Sequence, residues 1–195
     1  MTNNNRNAVV GKPKVSGGLL VAPVGTVTPT DEVAALDPAF GAVGYLTDSG
    51  LKRGEKTDSE TKNAWGGDPL ITIQKSSEFT SKFGMAEYLN PLVQSVIYGA
   101  ANVTTKAATT TAGNKLAIKG TGTPSPHNTW VVEMFSGDAR GRIVYPDAQI
   151  TDREDVEYKD EDIAARGVTL TLFPDATGAY FYEYWDDGQK RLASS

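Results

Sequence analysis

The side chains best suited by type to do chemistry are seven carboxylates: Asp152, Glu154, Asp155, Glu157, Asp160, Glu161 and Asp162. They share eleven positions with only two cations, Arg153 and Lys159. The stretch carries a net charge of −5, equal to that of the whole chain, so the remaining residues balance to zero. Carboxylates this dense can ligate a cation, supply acid and base groups, or form a charged surface. A helix–loop–helix calcium loop needs oxygen ligands at alternating positions, a central glycine and a terminal glutamate. The segment "DREDVEYKDEDI" has no glycine, and its Val156 and Tyr158 are strand formers. Paired carboxylates could also serve a glycosidase, which needs a cleft with aromatic platforms that one sequence does not demonstrate.

The other chemical candidates are sparse. His127 is the only histidine and there is no cysteine, so neither a catalytic triad nor a histidine or thiolate metal cluster can be assembled. The pairs Gly17–Gly18 and Gly66–Gly67 lack both the Gly-Lys-Ser/Thr ending and the GxGxxG spacing of phosphate loops. Turns or close backbone packing explain them. No catalytic residue, metal site or cofactor is expected, and the chain reads as something other than an enzyme.

The elements that must position these residues are mostly strands. A length of 195 residues suits one medium domain with extensions. The mildly acidic balance argues against a sequence-independent nucleic-acid binder, which needs a basic patch. The longest apolar run, Leu19–Val24, is far short of the ~20 residues of a membrane span. The N-terminus has no apolar core behind a basic start, so synthesis in a cytoplasm is expected. Residues 1–14 read as a polar arm, 15–188 as a single domain and 189–195 as a polar tail.

Within the domain, residues 15–21 read as a first strand and 22–38 as loop, with at most a helical turn after Thr30. Residues 45–67 are polar until Trp65 and read as a long projecting hairpin or loop. Residues 69–83 alternate. Thr72, Gln74, Ser76, Glu78, Thr80 and Lys82 form a wet phase. Ile71, Ile73, Phe79 and Phe83 form a packed one, interrupted at Lys75 and Ser77, which implies a bend midway. One helix is expected over about 90–98, capped by Asn90, started by Pro91 and stopped by Gly99. Further strands are expected over 102–110, 115–119, 129–135, 141–145, 148–151, 156–159, 163–173 and 179–185. Between them lie turn clusters such as "YPD" and "PDATG". The last strand places Tyr180, Tyr182 and Tyr184 on one face, and Phe181 and Trp185 on the other. The fold class is mainly β, a sandwich or partial barrel with one short helix.

Several segments, taken in order, resemble one family. "GGLLVAPVGTVTPTDEVAALDPAFGAVGYLTDSGL" is similar to the N-terminal part of the major tail protein of long-tailed phages with non-contractile tails. "AWGG", the strand after it and "EYLNPLVQSVIYGAANVT" are similar to that family's tryptophan-glycine segment, strand and Asn-Pro helix. "RIVYPDAQITDREDVEYKDEDIAARGVTLTLFPDATG" resembles its closing block. The likeness covers roughly residues 16–188 and is greatest to versions from phages of actinobacteria. The region 105–128 matches poorly, and "KDEDIAAR" stands where a glycine is expected near the turn.

The resemblance implies a tail-tube-like subunit of the virion. Six copies would form a ring whose inner strands join into a barrel. Rings would stack into a tube that encloses a tape-measure protein and lets DNA pass without specific binding, with terminator and tail-tip proteins at its ends. The projecting loop would then supply contacts between subunits or rings, with Lys52, Arg53, Glu55, Lys56, Asp58, Glu60, Lys62, Trp65, Gly66 and Gly67 as candidates. Trp65 has a competing reading as a core tryptophan at a strand base. Thr72, Gln74, Ser76, Glu78, Thr80 and Lys82 are candidates to face the lumen, and the seven carboxylates form an acidic surface. The alternative is a monomeric β-sandwich binding module of the carbohydrate-binding or adhesin type, with its aromatic end strand exposed.

Overall fold

The computed structural model describes residues 7–14 and 18–189. The start of the expected arm, the beginning of the expected first strand and most of the expected C-terminal tail lie outside the described residues. Among those described there are eleven strands: β1 (Lys12–Pro13), β2 (Leu19–Pro23), β3 (Gly41–Ala42), β4 (Leu46–Asn63), β5 (Pro69–Met85), β6 (Val103–Lys106), β7 (Lys115–Ile118), β8 (His127–Ser136), β9 (Ala139–Arg153), β10 (Arg166–Phe173) and β11 (Tyr182–Asp186). The helix α1 covers Pro91–Tyr98 and a 3-10 turn follows at Ala100–Asn102. The fold is mainly β with one helix. One antiparallel sheet runs β3-β2-β8-β9-β10-β5-β4, with β1 added to β8 and β11 added to β9. The pair β6-β7 forms a small second sheet.

Helix α1 forms where its caps dictate. The Asn90 side chain accepts from the Leu92 N–H at 3.0 Å, Pro91 opens the first turn, and Gly99 ends it at φ 84°. Eight residues make a helix that is marginal alone. It is held by burying Val93, Val96 and Ile97 against the sheet. The Ile97 carbonyl at its end accepts from Ser125 at 2.7 Å and from Arg153 at 3.0 Å. The shared core joins these residues to Leu19, Met85, Trp130, Tyr145, Val168 and Leu170, with Phe83 tilted on Trp130 at 5.6 Å. Burying each large apolar side chain contributes roughly 2 kcal/mol.

Two sequence expectations change. Residues 141–145 and 148–151 are not separate strands around a "YPD" turn. β9 is continuous, and Pro146, which has no N–H for the ladder, sits in a register shift against β8. There β9 changes its second neighbour, from β11 up to Val144 to β10 from Asp147. Residues 156–159 are not a strand, because the chain leaves the sheet after Glu154, whose N–H still donates to the Gly167 carbonyl, and rejoins it at Arg166. Of the two readings of residues 45–67, hairpin or flexible loop, the structure has the hairpin: Leu46 to Asn63 form a strand that main-chain bonding to β5 orders without apolar side chains. No helical turn follows Thr30. The Asp31 carboxylate instead accepts from the N–H groups of Val33 and Ala34 in a bend.

Candidate functional site

The hairpin β4–β5 is the feature that most needs a partner. β5 pairs with β10 only from Thr80 to Met85, so beyond Phe79, which packs against the body, the ribbon stands clear. Its turn is closed by Ala64 N–H donating to the Asp68 carbonyl at 2.8 Å and Gly67 N–H to the Ala64 carbonyl at 3.0 Å. Gly66 and Gly67 take φ 122° and 98°, values that side chains disfavour. Trp65 sits at the apex, fully exposed at 106% of its reference area. It is therefore not a core residue of its own chain.

The base of the ribbon is pinned inside the chain. Arg53 lies 4.0 Å over the Phe181 ring and pairs with Glu55 and Glu183. Phe79 stacks on Tyr180 at 4.4 Å. Arg53 thus serves its own fold, whereas Lys52, Glu55, Lys56, Asp58 and Lys62 are exposed along β4. Farther out, Glu60 accepts from Lys62 at 2.5 Å and pairs with Lys75 at 2.8 Å. These contacts with Lys62 and then Lys75 hold the Glu60 pKa below its ordinary value.

Cross-strand partners share a face, so the ladder assigns each side chain to one side of the sheet. Lys52, Lys82, Thr169 and Asp152 form one rung, and Gly54, Thr80, Thr171 and Gln149 the next. Lys56 with Glu78 and Asp58 with Ser76 continue it. This side of the wall β9-β10-β5-β4 is polar along these rungs, and Phe173, next in phase after Thr169 and Thr171, adds a half-buried ring beside Asp147. The reverse side carries Leu51, Phe83, Val168, Leu170 and Ile150 into the core. A register shift then inserts Lys75 as an extra residue between Ser76, opposite Asp58, and Gln74, opposite Ser59. The extra residue inverts the phase. Thr72 and Gln74 therefore lie on the opposite face from Ser76, Glu78, Thr80 and Lys82. Two bonds agree with this: Thr61 to Thr72 at 3.1 Å and Gln74 to Ser77 at 2.5 Å. The same shift turns Ile71 and Ile73 out of the expected packed phase, and they are exposed beyond the body. The hydrophilic interruption at Lys75 and Ser77 was the sequence signal for it.

The acidic segment folds over the near end of this polar face. The Glu154 carboxylate covers Gly167, where a Cβ would meet it at 2.1 Å. Glu154, Asp155, Glu157 and Asp162 line a cleft of about 380 Å³ together with Lys52 and Lys82. Lys52 and Lys82 face each other across the ladder. The carboxylates oppose that pair of like charges. Glu157 pairs with Lys159, which raises the lysine pKa. Asp152 stays on β9, while Asp160 and Glu161 stand exposed in a turn. Among the described residues no group of three or more His, Asp or Glu side chains is placed to hold a metal ion, and no helix is long and apolar enough to cross a membrane. His127 opens β8, bonds Asp147 at 2.6 Å and packs on Phe173. The aromatic strand β11 is partly exposed, with the Tyr182 and Tyr184 rings parallel at 6.4 Å. The Asp175 carboxylate accepts from Tyr182 and Thr177, which depresses its pKa strongly and raises that of Tyr182.

An antiparallel wall with one polar face, a core helix behind it and a ribbon that cannot bury itself are the features an assembling subunit needs. The family model described as phage tail tube protein matches residues 1–191, and the chain belongs to that family. It is a structural protein of the phage tail, whose membership implies self-assembly into a tube within the virion. A search of curated proteins finds no match.

Proposed function

We propose that the chain is the major tail protein of a phage with a long non-contractile tail. Six copies close into a ring, and rings stack into the tube through which DNA is ejected into the host. The observation that carries this reading is the β4–β5 ribbon. Beyond its last rung with β10 it has no further strand on either edge among the described residues. A two-stranded ribbon alone is marginal in water, and an unpaired edge invites another chain.

The wall has two edges for ring closure. β4 has a neighbour on one side only, and so does the end of β9 from Ile150 to Arg153. Pairing between neighbours round a ring uses these edges. The polar face then lines the bore, with Ser76, Glu78, Thr80 and Lys82 on it and Thr72 and Gln74 turned away by the bulge. The carboxylates of the acidic segment stand at one mouth of the same face and repel phosphate. Six-fold repetition multiplies that charge. The tape-measure protein fills the bore before DNA does, and terminator and tip proteins close the two ends, as the family resemblance implies. Assembly takes place in the host cytoplasm, and no covalent chemistry is involved.

Sedimentation and negative-stain microscopy of the purified protein test the reading. Hollow tubes or rings are expected, and a stable monomer that binds sugar would overturn it. Trp65→Ala separates folding from assembly: the variant should melt like the wild type but form no tubes.

A further inference from the structure

We propose that the small sheet β6-β7 presents a lysine face that binds an anionic polysaccharide. Between Glu87 and Glu133 the chain has no Asp or Glu, and its charged side chains there are Lys106, Lys115 and Lys119. The sheet gathers all of them on one side. Lys106 stands directly opposite Lys115, and Thr104 opposite Ala117 on the same side. The Lys119 N–H donates to the Asn102 carbonyl at 2.9 Å, which extends the ladder by one more pair. Lys119 is therefore in phase with Lys115 and Ala117. Thr104, Lys106, Lys115, Ala117 and Lys119 are all exposed. The reverse side carries Val103, Leu116 and Ile118, half-buried, and the sheet packs beside α1. Like charges directly across a ladder are destabilising. Among the described residues no carboxylate pairs with any of these lysines, so no ion pair within the chain offsets that cost.

The missing counter-charge calls for an anionic partner, and the surrounding surface selects its kind. No large apolar side chain of the sheet or its flanking loops is exposed, so there is no anchor for a lipid surface. Gly99 to Pro126 contain neither an aromatic residue nor an arginine. That removes the rings on which nucleic-acid bases stack and the anchors by which folded proteins dock. What borders the lysines is hydroxyl-bearing: Thr104, Thr105, Thr109, Thr110 and Thr111 are exposed, and such groups can hydrogen-bond sugars. Lys115 and Lys119 stand four residues apart, about 13 Å at ~3.3 Å per residue. A chain-like anion can bridge that span, whereas a single small anion cannot. Helix α1 and the small sheet lie behind the wall, away from its polar face. In a tube whose bore is that polar face, the lysines stand on the outside, and repetition along the tail adds weak sites together. Only this placement rests on the tube reading. The binding is a property of the single chain.

Fluorescence anisotropy of labelled dextran sulfate, with the full chain kept too dilute to assemble, tests the inference. Binding that neutral dextran does not share, and that weakens steeply as salt rises, is expected. Neutralising the face with Lys106→Gln, Lys115→Gln and Lys119→Gln together should lower the affinity about ten-fold or more. Lys56→Gln, Lys62→Gln and Lys75→Gln together remove the same charge from the β4–β5 hairpin and should leave it unchanged. All six side chains are exposed, so the fold is not at stake. No binding by the wild type, or an equal loss in both triple variants, overturns the inference. Tighter binding of single-stranded DNA or of anionic vesicles than of dextran sulfate overturns it too. So does loss of tubes in the first variant at high concentration, because the face is then a contact between copies. Wild-type protein that binds dextran sulfate yet never assembles overturns the tube reading and leaves the lysine face in place.

Discussion

Glu133 holds together three parts of the chain that are distant in sequence. Its carboxylate accepts from Lys14 at 2.9 Å and from Arg142, whose other nitrogen donates to the Asp31 and Ala34 carbonyls at 2.8 Å each. The arm, the bend after Thr30 and the sheet are thereby joined. Burial alone would raise the Glu133 pKa, but Lys14 and Arg142 more than offset it and hold it below the ordinary value. A carboxylate with a depressed folded pKa stabilises above its unfolded pKa and loses that contribution as pH falls through the folded value. Glu133→Gln should therefore cost about 1–3 kcal/mol at neutral pH, since it unpairs a buried Arg142. In denaturant titrations the deficit should shrink as pH drops below the carboxylate range, where the wild type also loses its charge. A deficit that stays constant down to pH 2 would contradict this account.

The hairpin is ordered by backbone and turn chemistry. Its tip depends on two consecutive glycines in positive-φ conformations, Gly66 and Gly67. Alanine at either should strain the turn by about 1–2 kcal/mol. The strain falls outside the cooperative core, so the melting temperature should hardly move. Faster amide exchange at the tip and poorer tube formation are the expected readouts. A lowered melting temperature with normal tubes would count against the role given to the tip. The bulge at Lys75 has its own consequence. It divides the wet phase of β5, so only Ser76 to Lys82 share a face with the polar rungs of β10 and β9.

Charge distribution is a property of the whole molecule. The acidic segment and the polar wall face lie on the same side, so the carboxylates belong with the proposed bore. Replacing Glu154, Asp155 and Glu157 with Gln, Asn and Gln removes three negative charges per copy, roughly eighteen from a ring of the proposed six copies. Phage carrying the triple variant should assemble tails of normal length but eject DNA more slowly, as followed by potassium efflux or dye-labelled DNA. Unchanged ejection with normal tails would place the segment on the outer surface.

Much was determined by the sequence itself. Asn90, Pro91 and Gly99 delimit a helix because capping and backbone restriction are local. The mainly β class follows from alternation and turn residues, and the projecting hairpin from a polar stretch too poor in apolar residues to bury a face. The ordered segments also pointed to the tail tube family. Tertiary structure alone decided what depends on register. Alternation has a period of two, so one extra residue at Lys75 inverts every side chain beyond it, and nothing local announces which residue the partner strand skips. Pro146 reads in the sequence as part of a turn, and its neighbours β8, β10 and β11 make it a bulge inside one continuous strand. The acidic run of 152–162 could be counted in the sequence. Only the crossing from β9 to β10 brought four of its carboxylates over Lys52 and Lys82, because that proximity is made by contacts far apart along the chain.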